Sequence, residues 1–268
     1  MPSEAQVLLV LAGFAAGFIN TLAGGGSLIT LPALIFLGLD ANVANGTNRI
    51  AVLIQNGTAV AGFAYQGRMP GRLALALLPP AVLGAFAGAR LAVEVSEPLL
   101  RAFLAGVLLL ALPAVFLPEG GTHRSRPAES GSPGSSAQPR VRLAPWMYGV
   151  FLAIGFYGGF IQAGVGFLIL GALVPLLGLD LVRANALKVA IVLAHTAIAL
   201  PVFVARGQVD WSSGLLLAAG TMAGAWIGTR FAVLGGARFV RWVLAIAVLV
   251  SAAQLLGLGE WLSEWIHD

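Results

Sequence analysis

Two basic residues lie inside otherwise apolar segments of the chain, and they are the first candidates for chemistry. Lys188, the single lysine, lies within the apolar run Leu181–Ala205, and Arg49 lies within Val43–Tyr65. A cation surrounded by apolar residues is costly to bury and usually serves a function. We therefore predict that Arg49 and Lys188 bind a small anion, with snorkelling of both side chains to a membrane surface as the alternative.

Polar side chains accompany the two cations. Asn48 and Asn185 lie in the same two segments, and Asn20 and Gln162 each lie just before a glycine-rich stretch. Their amides can donate hydrogen bonds to an oxyanion, and simple bridging between helices is the alternative. His195 is interpreted as a hydrogen-bonded packing residue, with a role as a proton relay as the alternative.

Glycine-rich stretches open two short apolar segments. The backbone ligands that we predict are Gly24, Gly25, Gly26 and Ser27 before the first segment and Gly164 and Gly166 before the second. Glycine lets a backbone approach a ligand closely, and the start of a helix presents free amides with a partial positive charge. We expect the two helix starts to converge on one anion near the membrane midplane, with close helix packing as the alternative.

Acidic residues are missing from the same segments. None of the 11 Asp and Glu residues falls in the middle of a predicted helix, although transporters coupled to protons or sodium commonly carry such a carboxylate. No acid pair, histidine cluster or Ser–His pair has a spacing suited to catalysis or metal binding. We therefore expect no enzyme activity, no metal and no cofactor.

The composition places these residues in a membrane protein. Of 268 residues, 59% are hydrophobic and 10% are charged, against about 25% charged in a soluble domain. The arginines are scattered between apolar runs, which suits loops beside a bilayer and not a nucleic-acid surface. No basic region precedes Val7, so the first apolar run is predicted to stay in the mature fold. The composition predicts an all-α polytopic membrane protein with a lipid bilayer, and no nucleic acid, as partner.

The chain divides into two similar halves. Residues 119–142 are rich in Gly, Ser, Pro and Arg, which is typical of a flexible connector. We predict a first repeat over residues 1–117, a linker over 118–145 and a second repeat over 146–268. Pairs that match at one constant separation are Gly38 and Gly178, Asn45 and Asn185, Gly67 and Gly207, Gly88 and Gly228, and Arg101 and Arg241.

Each half contains the same five apolar segments. They are Val7–Leu22, Leu28–Leu39, Val43–Tyr65, Leu73–Val93 and Leu99–Leu117, then Trp146–Gln162, Phe167–Leu179, Leu181–Ala205, Trp211–Leu234 and Phe239–Leu256. The first two of each half are shorter than the roughly 20 residues that a span requires. We predict a broken, re-entrant hairpin followed by three transmembrane helices in each repeat, with two tilted full spans as the alternative.

This topology predicts an orientation. A hairpin returns to its starting side, so each half contributes three net crossings and the second half is inverted. Arg90, Arg101 and Arg206 then lie on one side, and the linker with most of the other arginines lies on the opposite side. By the positive-inside rule, the linker is cytoplasmic and both termini lie outside.

Several motifs resemble a known family. The stretch Gly13–Pro32, which reads GFAAGFINTLAGGGSLITLP, together with Gly38–Asp40 and Ala44–Asn45, resembles the opening of the sulfite exporter TauE/SafE family. The echo of these motifs in the second half and the turn Gly207–Trp211 are similar to that family as well. The resemblance implies a multi-pass inner-membrane transporter of small sulfur-containing anions such as sulfite and organosulfonates.

The residues and the resemblance together predict transport of a small oxyanion. We expect export, because an inside-negative potential drives an anion outward by about 2.3 kcal/mol per charge per 100 mV. A passive channel for anions or neutral solutes is the main alternative. A membrane-embedded enzyme and a scaffold are the remaining ones.

Overall fold

The computed structural model describes residues 3–22, 24–65, 67, 69, 71–116, 143–179 and 181–231. All regular structure in these ranges is helical, which confirms the all-α prediction. The helices are α1 Ser3–Leu22, α2 Ser27–Phe36, α3 Ala41–Tyr65, α4 Gly71–Ala92, α5 Glu97–Phe116, α6 Pro145–Phe160, α7 Val165–Leu177, α8 Leu181–Ala205 and α9 Trp211–Phe231. The predicted linker at 119–142 and the predicted last segment, Phe239–Leu256, lie outside the described residues.

Helix lengths correct one expectation about the first segment. Helix α1 begins at Ser3 and not at Val7, so it has 20 residues and is about 30 Å long. Polar residues extend it, and Glu4 in its first turn interacts favourably with the positive end of the helix dipole. The short lengths of α2, with 10 residues, and α7, with 13, agree with the prediction.

Three helices in the described ranges are long and apolar enough to cross a membrane. Their apolar windows are Glu4–Thr21, Leu73–Ala92 and Val182–Ala205. Helix α3 also has the length of a span, 25 residues, but it carries Arg49 and several amides. These polar side chains are buried inside the protein, so α3 needs no apolar surface around its whole circumference.

Glycines allow the closest helix contacts. Helix α1 packs along α9, where Gly17 lies against the backbone of Thr221 and Gly224 against that of Phe14. Helix α4 packs along α6 in the same way, where Gly84 meets Leu152. In both pairs an added Cβ would clash with backbone atoms. The spaced glycines of α4 and α9 therefore serve helix packing.

Helices α3 and α8 cross the centre of the protein in opposite directions. Gly46, near the start of α3, lies against Phe203, near the end of α8, and Gly57 lies against Leu193. Both helices have 25 residues and are therefore about 37 Å long. They place their middle turns, rather than their ends, beside the two glycine-rich breaks.

Polar contacts join the loops at one end of the protein. Arg206 pairs with Glu94 at 3.1 Å, and the backbone N–H of Asp210 donates to Thr47 Oγ1 at 2.8 Å. Asp210 also caps α9 by accepting from the N–H of Ser213 at 2.7 Å. This hydrogen bond holds the pKa of Asp210 below its usual range. The turn between α4 and α5, the start of α3 and the turn between α8 and α9 therefore lie together.

Candidate functional site

The two glycine-rich breaks meet in the interior. Gly24 has φ +88°, a conformation that side chains rarely adopt, and it lies against Gly166. A Cβ added to Gly166 would lie 2.8 Å from Gly24 Cα and still closer to its carbonyl oxygen. Only residues without a side chain allow the two backbones this close. The predicted convergence of the two stretches is thus present in the structure.

A small cavity lies beside this contact. Its volume is about 10 Å³, which is about the room that one water needs. The lining residues are Asn20, Gly24, Ser27, Val52, Asn56, Gln162, Val165, Gly166, Lys188 and Val192. Val52 and Val192 are each the twelfth residue of a 25-residue helix, so the cavity lies halfway along α3 and α8.

Two helix starts border the cavity. Helix α2 begins at Ser27 after Gly26, and α7 begins at Val165 after Gly164, whose φ is +69°. Neither start has a side-chain cap. Several of the first N–H groups, those of Leu28, Ile29 and Phe167, bond to carbonyl oxygens of the breaks. The helix dipole still gives both starts a partial positive charge, which favours an anion at this position.

Lys188 brings a full positive charge to the cavity. Its side chain is 1% exposed, and Nζ donates to the carbonyl oxygen of Asn20 at 3.2 Å. This bond uses one of the three donors of an ammonium group. The remaining two donors belong to a residue that lines the cavity together with residues of both helix starts.

Arg49 lies outside the lining of the cavity. It is fully buried, and its guanidinium donates to the carbonyl oxygens of Gly158, at 3.2 Å, and of Gly159, at 2.5 Å. It also donates to Gln162 Oε1 at 3.1 Å, and Cζ lies 4.5 Å from the ring centre of Phe203. The guanidinium therefore caps the carbonyl end of α6.

The two cations make crossed contacts between the predicted halves. Lys188 of α8 contacts the end of α1, and Arg49 of α3 contacts the end of α6. Each cation offsets the partial negative charge at a helix C-terminus. Of the two, only Lys188 borders the cavity.

Gln162 connects Arg49 to His195. Its Oε1 accepts from Arg49 Nη1, and its Nε2 lies 3.1 Å from Nε2 of His195. His195 is fully buried, and its Nδ1 has no partner in the described part of the chain. The ring lies beside Gly158 and does not line the cavity.

The first break has its own polar contacts. Thr30 Oγ1 donates to Asn48 Oδ1 at 2.6 Å, and Asn48 Nδ2 donates to Ser27 Oγ at 3.1 Å. Asn20 Oδ1 accepts from the N–H of Gly26 at 3.4 Å. Asn48 therefore holds α2 against α3 without bordering the cavity itself.

The structure brings together about half of the predicted site residues. Those that line the cavity are Asn20, Gly24, Ser27, Gln162, Gly166 and Lys188. Those that do not are Gly25, Gly26, Asn48, Arg49, Gly164, Asn185 and His195. A role in binding stays a prediction for every one of them.

Four lining residues were absent from the predicted site, namely Val52, Asn56, Val165 and Val192. The signal that could have found Val192 is its position one helical turn after Lys188 on the same face. Val52 corresponds to Val192 in the predicted repeats, and Asn56 follows Val52 by one turn.

Acidic groups stay at the surface of the described part of the chain. Glu4, Asp40 and Glu94 are exposed, and Glu97 and Asp210 are half-buried. Within the same part, no group of three or more metal-binding side chains comes together. The buried cations are therefore compensated by carbonyl and amide oxygens there, and not by carboxylates.

These features define a class: an all-helical, multi-pass membrane protein whose broken helices meet around a buried cation. The sequence matches the family described as Sulfite exporter TauE/SafE over residues 9–255. The chain belongs to this family, which confirms the resemblance found in its motifs.

Relatives agree with this assignment. The chain is 31% identical to a "Probable membrane transporter protein ORF9" of Sinorhizobium sp. over 92% of this chain and 91% of the relative. It is 28% identical to "Probable membrane transporter protein YfcA" of Escherichia coli K12, over 97% and 93%. A "Probable membrane transporter protein" of Haemophilus influenzae is 27% identical over 93% of both chains. No solved structure matches the chain.

Proposed function

We propose that this protein, a membrane transporter of the TauE/SafE type, exports small sulfur-containing oxyanions such as sulfite or an organosulfonate. The observation that carries the proposal is Lys188, a buried ammonium at a cavity between the starts of α2 and α7. An isolated buried charge is costly, and an anion would neutralise this one. The helix starts would supply further donors.

The size of the cavity favours a carrier over an open pore. At about 10 Å³, it has room for about one water, so an anion with several oxygens requires more space. Gly24 and Gly166 close it on one side by backbone contact. We propose that this contact separates when the anion enters or leaves. A passive channel stays the second candidate, and an ohmic, non-saturating current would favour it.

Two inverted repeats, 1–117 and 146–268, would explain why the helix pairs α1–α9 and α4–α6 pack in the same way. Helix α1 of the first packs on α9 of the second, and α6 of the second packs on α4 of the first. Exchange of the repeats converts one contact into the other. The opposite directions of α3 and α8 support the inversion, because these helices occupy equivalent positions in the two repeats.

A re-entrant hairpin is supported by the directions of α1 and α2. Helix α1 runs parallel to α9, since Gly13 lies beside Leu217 and Gly17 beside Thr221. Helix α9 begins at the end where α3 begins, and α2 finishes just before α3. The start of α1 and the end of α2 therefore lie at the same end. Helix α2, with 10 residues, covers about 15 Å, half of a membrane core.

The arginine distribution supports the orientation. Arg206 lies beside Glu94, in the turn that carries Arg90 and Arg101 on either side, as the predicted topology requires. We propose that this end faces outward, with both termini outside and the linker in the cytoplasm. We propose that the protein lies in the inner membrane.

Flux measurements with Lys188 variants test the function. Sulfite efflux from proteoliposomes that contain wild-type protein should saturate with sulfite concentration. Lys188→Met should reduce it more than 10-fold, because the variant removes the cation that lines the cavity in the described part of the chain, and Lys188→Arg should retain part of it. The midpoint of thermal unfolding serves as the fold control. Unchanged flux in a folded Lys188→Met variant would contradict the proposal.

A further inference from the structure

Asn20 and Gln162 occupy equivalent positions in the two halves, and both line the cavity just before a break. An amide side chain can turn either its carbonyl oxygen or its NH2 group toward a ligand. An oxyanion accepts hydrogen bonds, so it is attracted by the NH2 group and repelled by the oxygen. The orientation of these two amides therefore matters for the anion proposed above.

Arg49 settles the orientation of Gln162. A guanidinium has donors and no acceptor, so the atom of Gln162 that lies 3.1 Å from Arg49 Nη1 is the oxygen. Nε2 then points the other way and donates to His195 Nε2 at 3.1 Å. His195 is accordingly neutral, with its proton on Nδ1. One N–H of Gln162 remains for the cavity.

The backbone settles the orientation of Asn20 by the same logic. The N–H of Gly26 can only donate, and it lies 3.4 Å from Asn20 Oδ1. The oxygen of Asn20 is thus occupied, and its NH2 group remains for the cavity. A guanidinium at Gln162 and a peptide N–H at Asn20 thus both bond to the amide oxygen and leave an N–H of the side chain for the cavity.

Asn56 shows the opposite arrangement in the same cavity. Its Nδ2 donates to the carbonyl oxygen of Val52 at 2.8 Å, one turn earlier in α3. This bond uses one of the two N–H groups of Asn56, and its Oδ1 accepts no hydrogen bond within the described part of the chain. The oxygens of Asn20 and Gln162 each accept one, so Asn56 differs from both in having a free amide oxygen.

We propose that Asn20 and Gln162 are a matched pair of anion donors, and that Arg49 is a positioning residue that keeps the N–H of Gln162 facing the ligand. The inference rests on the proposed function and names the groups that recognise the anion beside Lys188. Arg49 acts through Gln162 and does not touch the anion. Asn56, whose oxygen accepts no bond within the described part of the chain, is not part of this pair.

Sulfite affinity of apolar variants tests the pair. Full-length protein is reconstituted in nanodiscs, and sulfite and methanesulfonate are titrated as probes. Asn20→Leu and Gln162→Met should each weaken binding about 10- to 100-fold, the loss expected for one hydrogen bond to a charged group. Asn56→Leu is the matched control in the same cavity, and it should bind either anion at least as tightly as the wild type, because it removes an oxygen that repels the anion.

A double-mutant cycle tests the positioning role of Arg49. Arg49→Lys keeps the charge and disturbs the fold less than an apolar residue, but it cannot hold Gln162 and both carbonyls together. It should weaken sulfite binding in the wild-type background and have no further effect in the Gln162→Met background. A direct or long-range effect of Arg49 on the anion would persist in both backgrounds and overturn this role.

The outcomes separate the two proposals. A wild-type protein that binds neither anion overturns the proposed function, and this inference with it. Wild-type binding that Gln162→Met leaves unchanged or strengthens overturns the inference alone. Equal losses in Asn56→Leu and Gln162→Met also overturn it, because the two amides would then face the ligand in the same way.

Discussion

The two breaks reach the same cavity by different contacts. At the first break, the helix that follows is held by polar groups, because Ser27 and Thr30 of α2 both bond to Asn48. At the second break, α7 is apolar and packs through residues such as Ile169 and Leu173. Here the polar contact is made by Gln162, the residue before the break, which accepts a hydrogen bond from Arg49.

The two buried cations also differ in position between the predicted halves. In the predicted repeats, Lys188 corresponds to Asn48, whereas Arg49 is shifted by one residue and corresponds to Val189. Consecutive residues of an α-helix point about 100° apart. One cation consequently lies at the cavity, and the other lies at the carbonyl end of α6. Under the proposed function, Lys188 would supply the charge for the ligand, whereas Arg49 bonds to the end of α6.

The largest effect that we expect comes from removal of each cation in turn. Arg49→Met should lower the free energy of unfolding by about 3 to 5 kcal/mol, because it leaves two buried carbonyls and Gln162 without their donor. Lys188→Met should change it by about 1 kcal/mol or less, since Asn20 O also accepts from Gly24 N. Unfolding of both variants in detergent provides the comparison.

Equal destabilisation by Arg49→Met and Lys188→Met would break the distinction between the two cations. Lys188→Met should instead differ from Arg49→Met by losing sulfite binding while it stays folded.

Glycine substitutions at the contact between the breaks should have the next largest effect. Gly166→Ala places a Cβ against the backbone of Gly24, and such overpacking costs about 1 to 3 kcal/mol. Gly24→Ala should cost about 1 to 2 kcal/mol more than Gly166→Ala, because the φ of +88° at Gly24 is unfavourable for alanine. Thermal unfolding and sulfite flux measure both variants.

Gly171→Ala is the matched control in α7. Nothing lies within 4 Å of a Cβ at this position, and alanine is favoured over glycine in a helix by about 0.8 to 1 kcal/mol. It should therefore stabilise the protein. Gly166→Ala with the stability and flux of Gly171→Ala would show that the backbone contact is dispensable.

An effect no larger than that of Gly166→Ala should come from the polar link of α2. Thr30→Val removes the hydroxyl that donates to Asn48 Oδ1, and it should cost about 1 to 3 kcal/mol by leaving a buried oxygen unpaired. Thr58→Val is the control, because the hydroxyl of Thr58 bonds within its own helix, to Ile54 O, and the change should alter stability by about 0.5 kcal/mol or less. Similar values for both would mean that α2 is held by apolar packing, as α7 is.

Local sequence determined the helices and the breaks. Apolar runs of the right length predict α3, α4, α5, α8 and α9 to within a few residues, because the 3.6-residue repeat and apolar composition are local properties. Glycines before short apolar runs predict the starts of α2 and α7 for the same reason. Polar residues at the start of α1 continue the helix beyond the apolar run, so its length was underestimated.

Tertiary packing decided which polar residues share the cavity. Arg49 and Lys188 look alike as buried cations in the sequence, but their partners come from the opposite half of the chain, at Gly158 and at Asn20. The angle at which α3 and α8 cross sets which helix face meets which break, and no local pattern encodes that angle. The residues Val52, Asn56 and Val192 were missed for this reason: they join the cavity through the way the two central helices pack.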